Sequence, residues 1–436
     1  MIQAPNKPET SFLAAAEACR RGIQAALTDL LADAGLQNAR PSEVGRRLGL
    51  DKSLAWKISR VLESAETAEA FRHLPGRSGM EIVLRSAAKR QVDAAKVERA
   101  RAAFQEVEEF VVRHAGDRRT FEAMLAGEQP DARTEAEERR AYFRAGAAIW
   151  GVRAAVQFLM LALKPSAARP GYLDVAQVSG LVNLERLRPD VPWIVRRLRA
   201  NSDSGASVFR VTREPLVRAR AERGLPPLFD AYCSSPLPEL RQFEGVGGWI
   251  YDELVPGPVG RSGAATVVLG ERYIGIAPME RGEDNTTGEY SLTVRTPSEC
   301  VLFDLLLHRD LAHFGRPTRA VYGLLEDRQA ASVAVRVDAA RPALMAPAPA
   351  LELGSRATVQ TRRLAFYPGL VADALDAAGF GSATDFRGYR AELEYPPFPC
   401  DLRLALEIGA RGSESDSTAG SRSGSMTSSI HGPGAG

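Results

Sequence analysis

The sequence predicts an α+β fold with its helices first. Helical spacing of apolar residues runs from Ser11 to about Leu163, short alternating or β-branched runs replace it beyond Gly171, and long crossover helices between those runs are scarce, which favours a largely antiparallel sheet. At 436 residues the chain is too long for one core, because domains usually hold about 100 to 200 residues. The expected division is a helical module over residues 1–70, a helical connector and dimerisation region over 71–165, an α+β effector or assembly domain over 171–410, and a disordered Gly/Ser-rich tail over 411–436.

Each element follows from local pattern. Leu13, Ala16, Ile23, Leu27, Leu30 and Leu31 mark an amphipathic helix from Ser11 to near Gly35. Beyond Gly79, Ile82, Val83 and Leu84, then Val97, Phe104, Val107, Phe110 and Val111, recur at helical spacing. Glu135, Glu137 and Glu138 favour a helix start near Thr134, and the apolar run Ile149 to Leu163 reads as its buried continuation, too short for the roughly 20 residues that span a bilayer. Strands are expected at Asp174 to Val182, Ser207 to Val211, Ala264 to Leu269, Tyr290 to Val294 and Ala331 to Val337, with a turn at Ala346 to Ala350 and one helix at Pro368 to Ala378.

Composition narrows the function classes. A hydrophobic share of 45% with 25% charged residues is that of an ordinary globular protein, and a net charge of +2 means that any affinity for nucleic acid must be local. Cys19, Cys233, Cys300 and Cys400 stand far apart without paired spacing, so buried reduced thiols are expected rather than disulfides or zinc. No apolar core follows a basic flank at the N-terminus, so a cytoplasmic location is expected, with no membrane partner. No cofactor is implied. His308-Arg309-Asp310-Leu311 copies the start of a kinase catalytic loop, but Gly315 stands where the magnesium-binding Asn is needed. The arginines from Arg186 to Arg223 form either a solvated surface or a patch for phosphates or an acidic effector.

The segment Arg40 to Leu62 carries the most specific signal. Pro41 suits a helix first turn, Gly45 is small where a following helix crosses closely, and Gly49 sits where the chain reverses. Asp51 supplies a capping oxygen for the next helix, which turns Leu54, Ala55, Ile58, Val61 and Leu62 inward. Lys52, Ser53, Trp56, Lys57 and Arg60 remain on the outward face, a donor-rich surface suited to phosphate oxygens and guanine edges. The plain alternative is an ordinary helical hairpin with a solvated basic face.

The small residue, Leu48-Gly49-Leu50 and Asp51-Lys52-Ser53 resemble the helix-turn-helix of bacterial transcription regulators, in the form seen in the IclR and MarR families, over residues 40–62. The resemblance implies a supporting helix from Ser42 to Leu48 and a recognition helix from Lys52 to Leu62. It also implies double-stranded DNA as partner, contacted by Lys52, Ser53, Trp56, Lys57 and Arg60, with a homodimer and a small-molecule effector as further expectations. Its rivals are an enzyme or small-molecule binder in the C-terminal domain with the N-terminal helices as adaptor, and a protein-interaction scaffold.

Overall fold

The computed structural model describes residues 11–128, 132–199, 212–246, 249–282, 286–324, 343–409 and 428–430. The chain divides into two compact units, Met1–Glu135 and Ala136–Gly436.

The first unit is helical: α1 (Phe12–Asp33), α2 (Pro41–Leu48), α3 (Lys52–Glu63), α4 (Thr67–His73), α5 (Arg77–Lys89), α6 (Ala94–Ala115) and α7 (Arg118–Glu128). Ser11 caps α1 by accepting from the Ala14 amide, and Asp93 caps α6 by accepting from Ala95. One apolar cluster joins Ile23, Leu27 and Leu30 of α1 to Ile58 of α3, Val83 of α5, and Phe104 and Phe110 of α6. This cluster takes in residues on both sides of position 71. The aromatic residues Phe12, Phe110 and Phe121 meet at centroid distances of 5.8 to 5.9 Å and close the same core.

The helix α8 (Ala132–Trp150) ends where the sequence expectation continues it. Gly151 takes a left-handed φ of 73°, and the chain enters the strand β1 (Val152–Pro165). Ile149 to Leu163 is thus mostly a strand, not a helix. The apolar run is near-continuous because β1 is covered on both faces, and a run of that kind has no periodicity that separates it from a buried helix. Leu159, Leu161 and Leu163 point into one core, while Val156, Phe158, Met160 and Ala162 point into another.

Among the described residues the further strands are β2 (Tyr172–Arg186), β3 (Trp193–Arg199), β4 (Thr212–Pro215), β5 (Leu240–Gly245), β6 (Trp249–Leu254), β7 (Ala265–Pro278), β8 (Thr287–Val294), β9 (Ser298–His308), β10 (Thr318–Gly323), β11 (Ala343–Pro349), β12 (Leu351–Gly354), β13 (Phe386–Glu394), β14 (Cys400–Glu407) and β15 (Ser428–Ile430). A seven-stranded sheet runs β12-β13-β9-β1-β2-β7-β4, a five-stranded sheet β11-β10-β14-β8-β15, and a three-stranded sheet β3-β6-β5. Pairing is antiparallel except between β1 and β9 and between β15 and β8, which gives the α+β class. The first two sheets share a core of Leu161, Phe303 and Leu305 with Tyr290, Leu292 and Leu404. On the other face of the seven-stranded sheet lies α10 (Tyr367–Ala377, after the short α9, Arg218–Glu222), which buries Tyr367, Leu370, Val371 and Ala374.

Ala346 to Ala350, expected as a turn, belongs mostly to β11. This strand is an edge of its sheet, where a proline costs no ladder hydrogen bond on its open side. Ser207 to Val211 and Ala331 to Val337 lie outside the described residues, as does the tail beyond Ala410 apart from β15. No helix among the described residues is long and apolar enough to cross a membrane.

Gly180 on β2 sits where a Cβ would stand 2.5 Å from Phe158 Cε1 and 2.9 Å from the Val267 carbonyl oxygen. Gly180→Ala is expected to destabilise the second unit by about 1–3 kcal/mol through overpacking. An unchanged urea midpoint for that unit would show that β2 and the Phe158 ring do not pack this closely.

Candidate nucleic-acid interface

The helix α2 begins with Arg40 at its N-cap and Pro41 in the first turn, and Glu43 stands beside the positive helix end. It stops at Gly49, whose φ of 65° lies in the left-handed region, and the Leu50 amide donates to the Gly45 carbonyl at 2.9 Å. Asp51 Oδ1 then accepts from the Leu54 amide at 2.9 Å and starts α3. The two helices meet at Gly45 and Ala55, where a Cβ on Gly45 would lie 3.3 Å from Ala55 Cβ. Small residues at both positions permit that approach.

The inward stripe of α3 is Leu54, Ala55, Ile58 and Val61, all buried, with Leu62 half-buried. The C-terminal end is held by α1: Gln24 Nε2 donates to the Val61 and Ser64 carbonyls at 2.7 and 2.8 Å, and Ser64 Oγ donates to the Arg60 carbonyl at 2.7 Å. Sequence reasoning missed Gln24. Its signal is a lone amide between Ile23 and Leu27 on a buried stripe.

The outward face holds Lys52, Ser53 and Lys57, all exposed, and among the described residues no hydrogen bond or ion pair ties down their side chains. Trp56 is 46% exposed, and its ring meets His73 of α4 edge-on at 5.0 Å. Burial, with Arg60 as the next cause, holds the His73 imidazole below its ordinary pKa. Arg60 differs from the other outward residues: it pairs with Glu63 at 3.4 Å and with Glu69 of α4. The helix α4 follows α3 directly.

A groove of 760 Å³ between α5 and α6 has Met80, Leu84 and Phe104 on its floor. Among its lining charges Arg77 pairs with Glu108 at 2.9 Å and Arg101 with Glu81 at 2.6 Å.

In the second unit, Arg186 and Arg196 of the 186–223 stretch are buried, whereas Arg188, Arg213, Arg218 and Arg223 are exposed. Arg186 is buried and donates to the Leu254 and Val255 carbonyls at 2.8 and 2.9 Å. Arg196 is 3% exposed and pairs with Asp252 and, at 2.8 Å, with Glu271, which Arg213 also reaches at 2.9 Å. Arg390 grips Asp304 with two nitrogens, each at 2.7 Å. Burial raises the Asp304 pKa, and the guanidinium opposes that rise. His308 ends β9, and its Nδ1 accepts from the Asp310 amide at 3.3 Å, so this tetrapeptide closes a strand. His313 Nε2 instead lies 3.0 Å from the Met279 carbonyl, and no metal-holding cluster occurs among the described residues. All four cysteines are free, and burial pushes the Cys300 and Cys400 thiols up to about 12.

No family model matches the chain, and no curated protein matches it. A solved structure from Parabacteroides distasonis, provisionally assigned as a protease, aligns with 59% of this chain at 10% identity and a TM-score of 0.22. The chain spans 40% of that protein's length, and a likeness this slight carries no argument.

Because the α2–α3 crossing depends on Gly45, Gly45→Leu is expected to destabilise the first unit by about 1–3 kcal/mol. Differential scanning calorimetry of the full chain reads this as a lowered midpoint for that unit. An unmoved midpoint would mean that the crossing tolerates a bulky side chain.

Proposed function

We propose that α3 binds double-stranded DNA in the major groove, with α2 as its supporting helix, and that the chain is a transcription regulator. What carries this reading is the contrast between the two sides of α3. One side is locked into the core by Leu54, Ala55, Ile58 and Val61, while the other offers Lys52, Ser53 and Lys57 to solvent. A ligand thus meets a preorganised row of donors on a rigid element. With 12 residues α3 is about 18 Å long, and a major groove about 12 Å wide admits such a helix.

The chemistry divides by residue. The Lys52 and Lys57 ammonium groups suit phosphate oxygens or guanine O6 and N7, the Ser53 hydroxyl suits a phosphate or a base edge, and the Trp56 ring suits a thymine methyl. Arg60 is left out of the free contact set, because Glu69 and Glu63 hold its guanidinium. A regulator of this kind works in the cytoplasm, and the second unit would supply effector binding or assembly. An enzymatic reading has less support, because the buried charges Arg390, Asp304, Arg196, Asp252 and Glu271 pair with one another.

Lys52→Ala/Lys57→Ala in the full chain is expected to weaken binding to a selected duplex at least tenfold. The slope of log affinity against log salt should become shallower by roughly two, since each lost phosphate contact releases about 0.9 fewer counterions. If affinity and slope both stay at the wild-type values, α3 does not touch DNA.

A further inference from the structure

Some cations of the first unit are paired, while others, Arg40, Arg113 and Arg119 included, are exposed and have no ion pair among the described residues. Those on α1 and α6 are largely spent on carboxylates: Arg20 on Glu17, Lys96 on Asp33 at 2.7 Å, Arg99 on Asp29 at 3.0 Å, and Arg101 on Glu81 at 2.6 Å. Arg47, Lys52, Lys57, Lys89 and Arg90 are exposed and, among the described residues, have no ion pair or side-chain hydrogen bond. Arg47 closes α2, Lys52 and Lys57 lie on α3, and Lys89 and Arg90 end α5.

Tertiary ties bring α5 to the same region. Near its start, a Cβ on Gly79 would lie 3.3 Å from Leu54 Cδ1 of α3. Further along, Ser86 Oγ donates to the Leu48 carbonyl at the end of α2. Lys89 and Arg90 stand three and four residues beyond Ser86, within about one helical turn of that contact. The end of α5 is fixed as well, because the Val92 amide bonds back to the Ala87 carbonyl at 3.2 Å and Val92 is buried. The neighbouring carboxylates are occupied: Glu43 lies 3.9 Å from Arg46, Asp51 caps α3, and Glu81 pairs with Arg101 and Arg85.

We infer that Lys89 and Arg90, with Arg47, form a phosphate clamp that grips the DNA backbone beside the groove occupied by α3. The inference rests on the DNA-binding reading above. The end of α5 is tied to the end of α2 through Ser86 and so offers a backbone contact beside α3. Ammonium and guanidinium groups on a fixed helix end recognise phosphodiester oxygens without reading the bases. The clamp therefore contributes affinity and register alone, whereas Lys52, Ser53, Trp56 and Lys57 reach base edges as well as phosphates. The local role open to Lys89 and Arg90 is to complement the negative end of the α5 dipole, which would affect stability alone.

The test compares full-length Lys89→Ala/Arg90→Ala, Lys52→Ala/Lys57→Ala and the distant pair Arg113→Ala/Arg119→Ala on selected and scrambled duplexes across a salt series. The clamp predicts that Lys89→Ala/Arg90→Ala makes the salt slope shallower by roughly two and weakens both duplexes by the same factor, so that their affinity ratio is kept. Arg113→Ala/Arg119→Ala should leave the slope in place. A wild-type slope in Lys89→Ala/Arg90→Ala, with Lys52→Ala/Lys57→Ala still impaired, overturns the clamp and leaves the DNA-binding reading standing. An equal change in Arg113→Ala/Arg119→Ala overturns the clamp as well, by assigning the effect to overall charge. Failure of the wild-type chain to bind any duplex overturns both. If the Lys89→Ala/Arg90→Ala chain unfolds, Lys89→Gln/Arg90→Gln gives the same readout with longer side chains.

Discussion

Two-sided burial of β1 is the constraint on which the larger unit depends. Because successive side chains on a strand point to opposite faces, its odd and even positions must each find an apolar cover. The five-stranded sheet covers Leu159, Leu161 and Leu163, and α10 covers Val156, Phe158, Met160 and Ala162. The neighbour β9 repeats the arrangement, with Val301, Phe303 and Leu305 on one side and Leu302 and Leu306 on the other. Asp304 interrupts the second face, and the bidentate Arg390 satisfies it there. A slip of one residue in the β1–β9 register would exchange the two faces and put Asp304 into the wrong core.

The smaller unit solves a different problem, the exposure of helix ends. Each of its helices leaves orphan amides and carbonyls that a packed bundle must satisfy. Asp51 serves the start of α3, Gln24 its end, and Ser86 a carbonyl at the end of α2. These ties consume polar groups along the inner faces and leave Lys52, Ser53 and Lys57 of α3 exposed. Rigidity and availability of the basic row thus have one cause.

Legibility in the sequence followed the range of each interaction. The α2–α3 pair was readable because its determinants are local: a proline first turn, a left-handed Gly49 and a capping Asp51 lie within a dozen residues. The α+β class and α10 were readable for the same reason. What could not be read depends on distant partners. Nothing near Arg60 shows that Glu69 of α4 will take its guanidinium, nothing near Arg196 announces Glu271, and the apolar run of β1 looks like a helix until the sheets on either side are known. The proline-rich β11 was hidden because proline signals a turn unless the strand lies at an edge.

The parallel pairing of β1 with β9 has a consequence for biogenesis. Val156 leaves the ribosome long before its partner Cys300, and β13, on the far side of β9, later still. Helices α1 to α7 can condense from neighbouring segments, whereas β1 must wait with its greasy flanks unshielded while loop-closure entropy delays the non-local contacts. A nascent chain paused between those two strands leaves apolar strand surface uncovered, the condition under which chains aggregate.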